Sequence, residues 1–282
     1  MPELPEVEVT RQGIDAPLRG ARVLAVRLGK PLRWPLGSRR ERLIGTTVGP
    51  VSRRGKYLWL PLSRDGRGEG GNTAAGGLLM HLGMSGSLAL LDEAGEPGPH
   101  DHFDLVTSRG TLRLTDPRRF GAVVYSPALD RPPASKLLAR LGAEPFDAAL
   151  TPEVLHRALK ARRAPVKAVL LAGEVVVGAG NIYACEALHR AGIHPAARSD
   201  RISAARSARL LAALRATLAR ALALGGSTLR DFSDVHGASG AFQSEAAVYS
   251  REGLACPRCA RPVRRIVQAQ RSTYYCAGCQ RR

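Results

Sequence analysis

Two stretches of the chain carry residue types that do chemistry at fixed spacing. The first is the opening run Met1-Pro2-Glu3-Leu4-Pro5-Glu6, which crowds prolines and acids into a chain that is otherwise strongly basic. Proline at position two is small enough for methionine aminopeptidase to expose, and removal of Met1 would leave a secondary amine. An α-amino group has a reference pKa of roughly 8, against about 10.4 for lysine, so much more of it is unprotonated near neutrality. Attack of such an amine on the anomeric carbon of a deoxyribose would leave an iminium, a fixed positive charge that acts as an electron sink. Glu3 stands beside this amine, and Glu6 falls three residues on, on the same face of a helix starting near Pro2. The same residues also suit a helix start, where proline needs no donor and acids complement the exposed amides. Taken alone, the run favours the helix-start explanation, and other segments decide between the two.

The second stretch is Cys256-Pro257-Arg258-Cys259 followed, after sixteen residues, by Cys276-Ala277-Gly278-Cys279. This is the two-knuckle spacing of a four-thiolate zinc site, with each pair spanning one edge of a tetrahedron. All four positions are filled by protein, so the expected zinc is structural. Disulfides are the alternative, and they fit a reducing compartment poorly. The intervening residues read as a β-hairpin that places Arg271 near its tip, away from the metal, where a basic side chain can grip phosphate. Cys185 lies alone in a helical run and reads as a small buried residue.

Between these ends, the elements that must position the chemistry fall into a β half and an α half. From Val23 to Tyr125 short apolar or alternating runs ("VLAVRLG", "YLWLPL", "GLLMHLGMSGSLALL", "HFDLV", "TLRLT", "GAVVY") predict an antiparallel sandwich or barrel. Residues 63–77 are Gly-rich and are expected to form a flexible surface loop. After "DRPPAS" at 130–135 the pattern turns helical: "TPEVLHRALKARR", "NIYACEALHRAGI" and "ISAARSARLLAALRATLARALALGG", the last stopping at a glycine pair. The expected domains are residues 1–130, 131–244 and 245–282.

Forty-two Lys and Arg against 24 Asp and Glu give a net charge of +18 and, with no single basic tail accounting for it, point to a polyanionic partner. The 282 residues contain no apolar run of membrane-spanning length and no secretory signal pattern, so a cytoplasmic or nucleoid location and no membrane partner are expected.

The motifs taken together are more specific than any one of them. "PELPEVE", "RRGKYL" at 53–58, "HLGMSGSL" at 81–88, "DPRRFGA" at 116–122, "GNIYACEAL" at 180–188, "AGIHP" at 191–195 and the cysteine hairpin ending "CQ" resemble, in order and across nearly the whole chain, the bacterial formamidopyrimidine-DNA glycosylases. The resemblance implies an α+β multidomain fold: an N-terminal β-sandwich with the N-terminal helix, a helix-two-turn-helix domain, and a C-terminal β-hairpin zinc finger with one structural Zn2+. It implies a monomeric base-excision-repair enzyme acting on damaged double-stranded DNA, excising 8-oxoguanine and formamidopyrimidines and then cleaving the strand by β,δ-elimination.

By the same resemblance Pro2 is the nucleophile, Glu3 the acid that assists ring opening, Glu6 a supporting residue, Lys56 a catalytic lysine close to phosphate, and Arg271 a phosphate clamp implicated in the second elimination. Met84, Arg118 and Phe120 match the residues that fill the gap left by a flipped base, with Arg118 facing the widowed cytosine. Asn181 matches a backbone-binding asparagine, His100, Arg118 and Arg163 match further DNA contacts, and Lys167 is read as another phosphate contact. Cys256, Cys259, Cys276 and Cys279 match the zinc ligands.

The departures are Ala172-Gly173-Glu174, where the family commonly has an acidic-amide pair; Gly240-Ala241-Phe242, where Gly-Tyr-Phe is frequent in the base-capping loop at 238–243; and Ser250 and Ala260, which replace common glycines. Two other readings stay beside this one. One is the related endonuclease VIII branch, acting on oxidised pyrimidines, and the other is a non-catalytic zinc-containing DNA-binding protein.

Overall fold

A computed structural model describes residues 2–64, 73–227, 235 and 240–282. They divide into two compact units, Met1–Ala139 with Gly225–Gly240, and Arg140–Leu224 with Ala241–Arg282. Among the described residues, no helix is long and apolar enough to cross a membrane.

The first unit opens with helix α1 (Leu4–Leu18), which begins two residues later than the start near Pro2 expected from the sequence. Pro5 sits in the first turn, where its missing N–H costs nothing, and Glu3 is the cap residue. Pro2 therefore stands ahead of the helix. Among the described residues nine strands follow: β1 (Val23–Leu28), β2 (Thr47–Val48), β3 (Ser52–Arg54), β4 (Tyr57–Arg64), β5 (Thr73–His81), β6 (Ser87–Leu91), β7 (Asp101–Thr107), β8 (Gly110–Thr115) and β9 (Ala122–Ser126), then the short helix α2 (Ala134–Leu138).

They pair into a four-stranded sheet of order β1-β7-β8-β6 and a five-stranded sheet of order β2-β4-β5-β9, with β3 also on β4. Every pairing is antiparallel. Leu58, Leu60 and Leu78 from one sheet meet Phe103, Leu105 and Leu112 from the other in one buried core. Val7, Ile14 and Leu18 of α1 join that core along a single helical stripe, so burial of the helix fixes where the N-terminus lies.

Part of the flexible loop expected over residues 63–77 is strand instead. Strand β4 runs to Arg64 and β5 starts at Thr73, with Ser63 opposite Ala74 and Arg64 opposite Thr73. Backbone amides satisfy one another across the pair whatever the side chains, so glycines do not prevent pairing. Residues 65–72 lie outside the described residues.

The second unit contains α3 (Pro152–Lys160), α4 (Val166–Ala172), α5 (Asn181–Ala191), α6 (Ala204–Ala223) and the hairpin β10 (Arg264–Gln268) and β11 (Arg271–Tyr275). Thr151 and Ser203 cap α3 and α6 through their hydroxyls. Leu155, Leu170, Tyr183, Leu188, Leu210 and Leu214 are buried in its core. Helix α4 has seven residues, less than two full turns, which is too short for its period to stand out in the sequence. Cys185 is buried, packing with Val248 and Val263 beside Cys256 and Cys276. The fold class is thus the α+β arrangement of N-terminal helix with sandwich, helical domain and C-terminal hairpin.

Candidate active site and metal centre

The first unit holds Pro2, Glu3, Glu6, Lys56, Met84, His100, Arg118 and Phe120. Pro2 and Glu3 are buried, Glu3 to 1% exposure. The Glu3 amide donates to Glu6 Oε2 at 2.7 Å, one arm of a capping box. Glu6 Oε1 accepts from the Ser227 amide at 2.7 Å. The preceding residue, Gly226, has φ +85° and leaves no room for a side chain, because a Cβ there would stand 2.9 Å from Glu6 Oε1. Glu6 thus joins the start of α1 to a distant segment of its own unit.

Lys56 occupies the two-residue turn between β3 and β4 and is half-buried. Arg53 steadies that turn, donating to the Gly55 carbonyl at 2.9 Å while pairing with Glu8 Oε2 of α1 at 2.9 Å. Burial works to raise the Glu8 carboxyl, but hydrogen bonds from Arg11 and Arg53 hold it below the usual carboxylate range. His81, to which the sequence reading gave no role, stands at the end of β5. Burial, then the positive charges of Lys56 and Arg33, push its imidazole down to about 4. Its Nδ1 accepts from the Gly83 amide at 3.0 Å, which leaves the proton of the neutral ring on Nε2.

Met84, Arg118 and Phe120 come from two loops that one buried acid holds together. Asp116 is wholly buried: Oδ1 accepts from Ser85 Oγ at 2.6 Å and from the Arg118 amide at 3.2 Å, and Oδ2 accepts from the Gly121 amide at 2.7 Å. The loop backbones touch so closely that a Cβ on Gly83, itself at φ +65°, would stand 2.4 Å from Phe120 C and Gly121 N. With their amides satisfied inward, the loops present side chains outward. Phe120 is 43% exposed, Met84 is half-buried, and the exposed Arg118 guanidinium carbon lies 4.9 Å from the Phe120 ring centroid. His100 is exposed, and its carbonyl accepts from the Asp116 amide at 2.9 Å. Asp116 was legible in "DPRRFGA" as part of a motif, but its role depends on burial.

The second unit holds Arg163, Lys167, Asn181, Arg271 and the four cysteines. Arg163 is exposed. Lys167 does not fit the expected DNA contact, because it is wholly buried. Its stem lies within the unit's interior, and its ammonium donates to Asn181 Oδ1 at 2.5 Å and Thr273 Oγ1 at 2.6 Å. Asn181 Nδ2 donates in turn to the Ser272 carbonyl at 2.9 Å. Asn181 is therefore the first residue of α5 and a strut to the hairpin, while Gly180 takes the cap position. Arg271 is exposed and opens β11 opposite Gln268, across a two-residue turn of Ala269 and Gln270 at φ +46° and +61°. In the base-capping stretch 238–243, residues 238 and 239 lie outside the described residues. Ala241 is exposed, and Phe242 is buried edge-on against Tyr183, ring centroids 5.1 Å apart.

The sulfurs of Cys256, Cys259, Cys276 and Cys279 all lie within 4.8 Å of one another, with Cys256 to Cys279 at 3.8 Å and Cys259 to Cys276 at 3.3 Å. Zinc–sulfur bonds of about 2.3 Å put tetrahedral sulfurs about 3.8 Å apart, so the set fits one zinc ion. The Arg261 amide foremost, then neighbouring thiols, draws Cys259 down to about 7, whereas burial and then the other thiols push Cys279 up to about 12. A central divalent cation relieves that crowding and lets all four ionise. Glu186 of α5, also unassigned by sequence reasoning, accepts from the amides of Ala247, Val248 and Tyr249 at 2.7–2.9 Å and so fixes the segment leading to the zinc hairpin.

Comparison with known proteins accounts for this arrangement. The formamidopyrimidine-DNA glycosylase N-terminal domain matches residues 1–123, the H2TH domain of the same glycosylases matches 141–233, and the zinc finger found in FPG and IleRS matches 253–282. The formamidopyrimidine-DNA glycosylases of Variovorax paradoxus and Albidiferax ferrireducens are 57% and 55% identical over the full length of both chains. The crystal structure of the MutM (FPG) protein from Thermus thermophilus superposes with a TM-score of 0.85 at 40% identity, covering 99% of this chain and 98% of that one. A Lactococcus lactis FPG mutant in complex with Fapy-dG containing DNA gives 0.87 at 30% identity, with both chains fully covered. With its domains matched in order and its relatives aligned end to end, the chain belongs to the formamidopyrimidine-DNA glycosylase family.

Proposed function

We propose that this protein is a bifunctional DNA glycosylase and AP lyase of base excision repair, excising 8-oxoguanine and formamidopyrimidines from double-stranded DNA as a monomer in the cytoplasm, associated with the nucleoid. Family membership supports the glycosylase activity. The observation that carries the mechanism is the start of α1: the helix begins after Glu3, so Pro2 lies outside it with a buried carboxylate next in sequence.

Once Met1 is removed, the Pro2 amine attacks C1′ of the damaged nucleotide. The bond to the base breaks as the amine bond forms, and the base leaves with the glycosidic electron pair. Glu3 takes the proton that the attacking amine sheds and delivers it to the sugar ring oxygen as the ring opens to the iminium. The iminium acidifies the C2′ proton, whose loss expels the 3′ phosphate, and a second elimination expels the 5′ phosphate. Lys56, the Nε2–H of His81, Asn181 and Arg271 supply donors for the phosphates, and His100 and Arg163 are further contacts. Arg271 also assists the second elimination.

Flipping the lesion costs a few kcal/mol, which the Met84, Arg118 and Phe120 side chains offset by entering the vacated stack. Zinc supplies no chemistry here; it holds the hairpin that carries Arg271. Ala241, in place of the tyrosine frequent in the family, removes an aromatic contact from the base-capping loop and alters the ranking of damaged bases.

Borohydride trapping on a duplex with one 8-oxoguanine opposite cytosine tests this, using protein whose loss of Met1 is verified by mass spectrometry. A covalent adduct is expected, and its absence on both that duplex and an abasic duplex would defeat the mechanism. Stronger trapping on thymine glycol would assign oxidised pyrimidines as the substrate class instead.

A further inference from the structure

His189 lies in the last turn of α5 and is 2% exposed. Its Nε2 stands 3.4 Å from Cys256 Sγ. Arg258, inside the first cysteine knuckle, donates through Nη1 to the His189 carbonyl at 3.0 Å. The helix is therefore fastened to the knuckle twice, once by a ring and once by a carbonyl. The other sulfurs draw on their own surroundings: Cys259 takes the Arg261 amide, and Cys276 takes the amides of Gly278 and Cys279. Cys256 is met by a ring nitrogen from a different element, 67 residues earlier in the chain.

A zinc ion with four thiolates carries a net negative charge in a site whose Cys256 and Cys276 are buried. Hydrogen-bond donors aimed at the sulfurs spread that charge and hold each ligand in its orientation. We propose that His189 is a positioning residue of the metal centre: its Nε2–H donates to the Cys256 thiolate, slows the loss of zinc, and links zinc occupancy to α5, the helix that begins at Asn181. The apolar bulk of a ring alone would not serve, since a buried thiolate without a donor is left unsatisfied.

The test uses zinc-loaded full-length protein and a chromogenic chelator. His189→Phe keeps a ring and loses the donor, and His189→Gln keeps an N–H. Zinc transfer from His189→Phe is expected to be at least about tenfold faster than from wild type, in line with losses seen when groups hydrogen-bonded to metal ligands are removed, while His189→Gln stays close to wild type. Transfer from His189→Phe at the wild-type rate overturns the proposal. Equal acceleration in both variants also does, because it assigns the effect to shape. A measurement on wild type remains decisive should His189→Phe fail to take up metal. In protein loaded with NMR-active cadmium, scalar coupling between the metal and the His189 Nε2 proton is expected, and an observed proton without coupling overturns the hydrogen bond.

Discussion

The two compact units differ in the charges that hold their functional side chains, the second adding cations to a buried acid of its own, Glu186. In the first, buried acids do the work: Glu6 gathers the amides of Glu3 and Ser227, and Asp116 gathers Ser85 Oγ and the amides of Arg118 and Gly121. In the second, the anchors include cations: the wholly buried ammonium of Lys167, which joins Asn181 to Thr273, and the zinc ion that the four cysteines fit. A carboxylate accepts from several backbone amides at once, so it suits loops whose side chains must face outward. An ammonium or a metal ion binds side-chain oxygens and sulfurs, so it suits the joining of a helix to a hairpin. Both devices depend on complete satisfaction, because a group left unpaired in the interior costs more than the pair contributed.

That contrast can be broken experimentally, beginning with the metal. Both tryptophans, Trp34 and Trp59, lie in the first unit, so tryptophan fluorescence follows its unfolding alone. Cys276→Ser is expected to abolish zinc retention and lower affinity for damaged DNA about a hundredfold or more, since structural zinc contributes roughly 10–16 kcal/mol in isolated fingers. The tryptophan transition should not move. A shift in that transition comparable to the binding loss would show that the units are not separately anchored.

A smaller effect is expected from the paired substitutions Asp116→Asn and Lys167→Met. Asparagine turns an N–H toward a backbone amide that needs an acceptor, at a cost of about 1–3 kcal/mol, and denaturant titration followed by tryptophan should register it. Lys167→Met should leave that transition in place and weaken DNA binding by about tenfold, roughly 1.4 kcal/mol, through misplacement of Asn181. If both variants lowered the same transition, the acid and cation anchors would not be independent.

The smallest effect concerns the backbone of the zinc finger. Ala260 and Ser250, where the family commonly has glycine, sit at φ +60° and +59°. A residue with a Cβ pays about 1–2 kcal/mol there. Ala260→Gly should therefore stabilise the second unit by about 1 kcal/mol, seen by calorimetry as a rise in its transition with no change in tryptophan signal. No gain would mean that the knuckle contacts offset the strain.

Much of this was legible beforehand, for local reasons. The strands of the sandwich follow from alternation, the zinc set from its spacing, and the loop position of Met84 from its Gly-Met-Ser-Gly context. Lys167 misled because a lysine is ordinarily exposed; only burial reveals that its ammonium points at Asn181. Asp116, Glu186 and His189 were unassigned because partners that give them a role lie in other elements, 67 residues away in the case of His189, and His81 because its burial is tertiary. Residues 63–77 looked loop-like throughout because glycine content reports turn preference and does not report which amides find partners across strands.

The sequence by itself therefore determined most of the elements, the family and the chemical candidates, since periodicity, capping and ligand spacing act over a few residues. Tertiary structure decided which polar groups are buried and which donor each acid, sulfur or amide receives. Those choices turn on desolvation: a lysine on the surface and a lysine in the interior have the same letter, but only the second must find its partners within the protein.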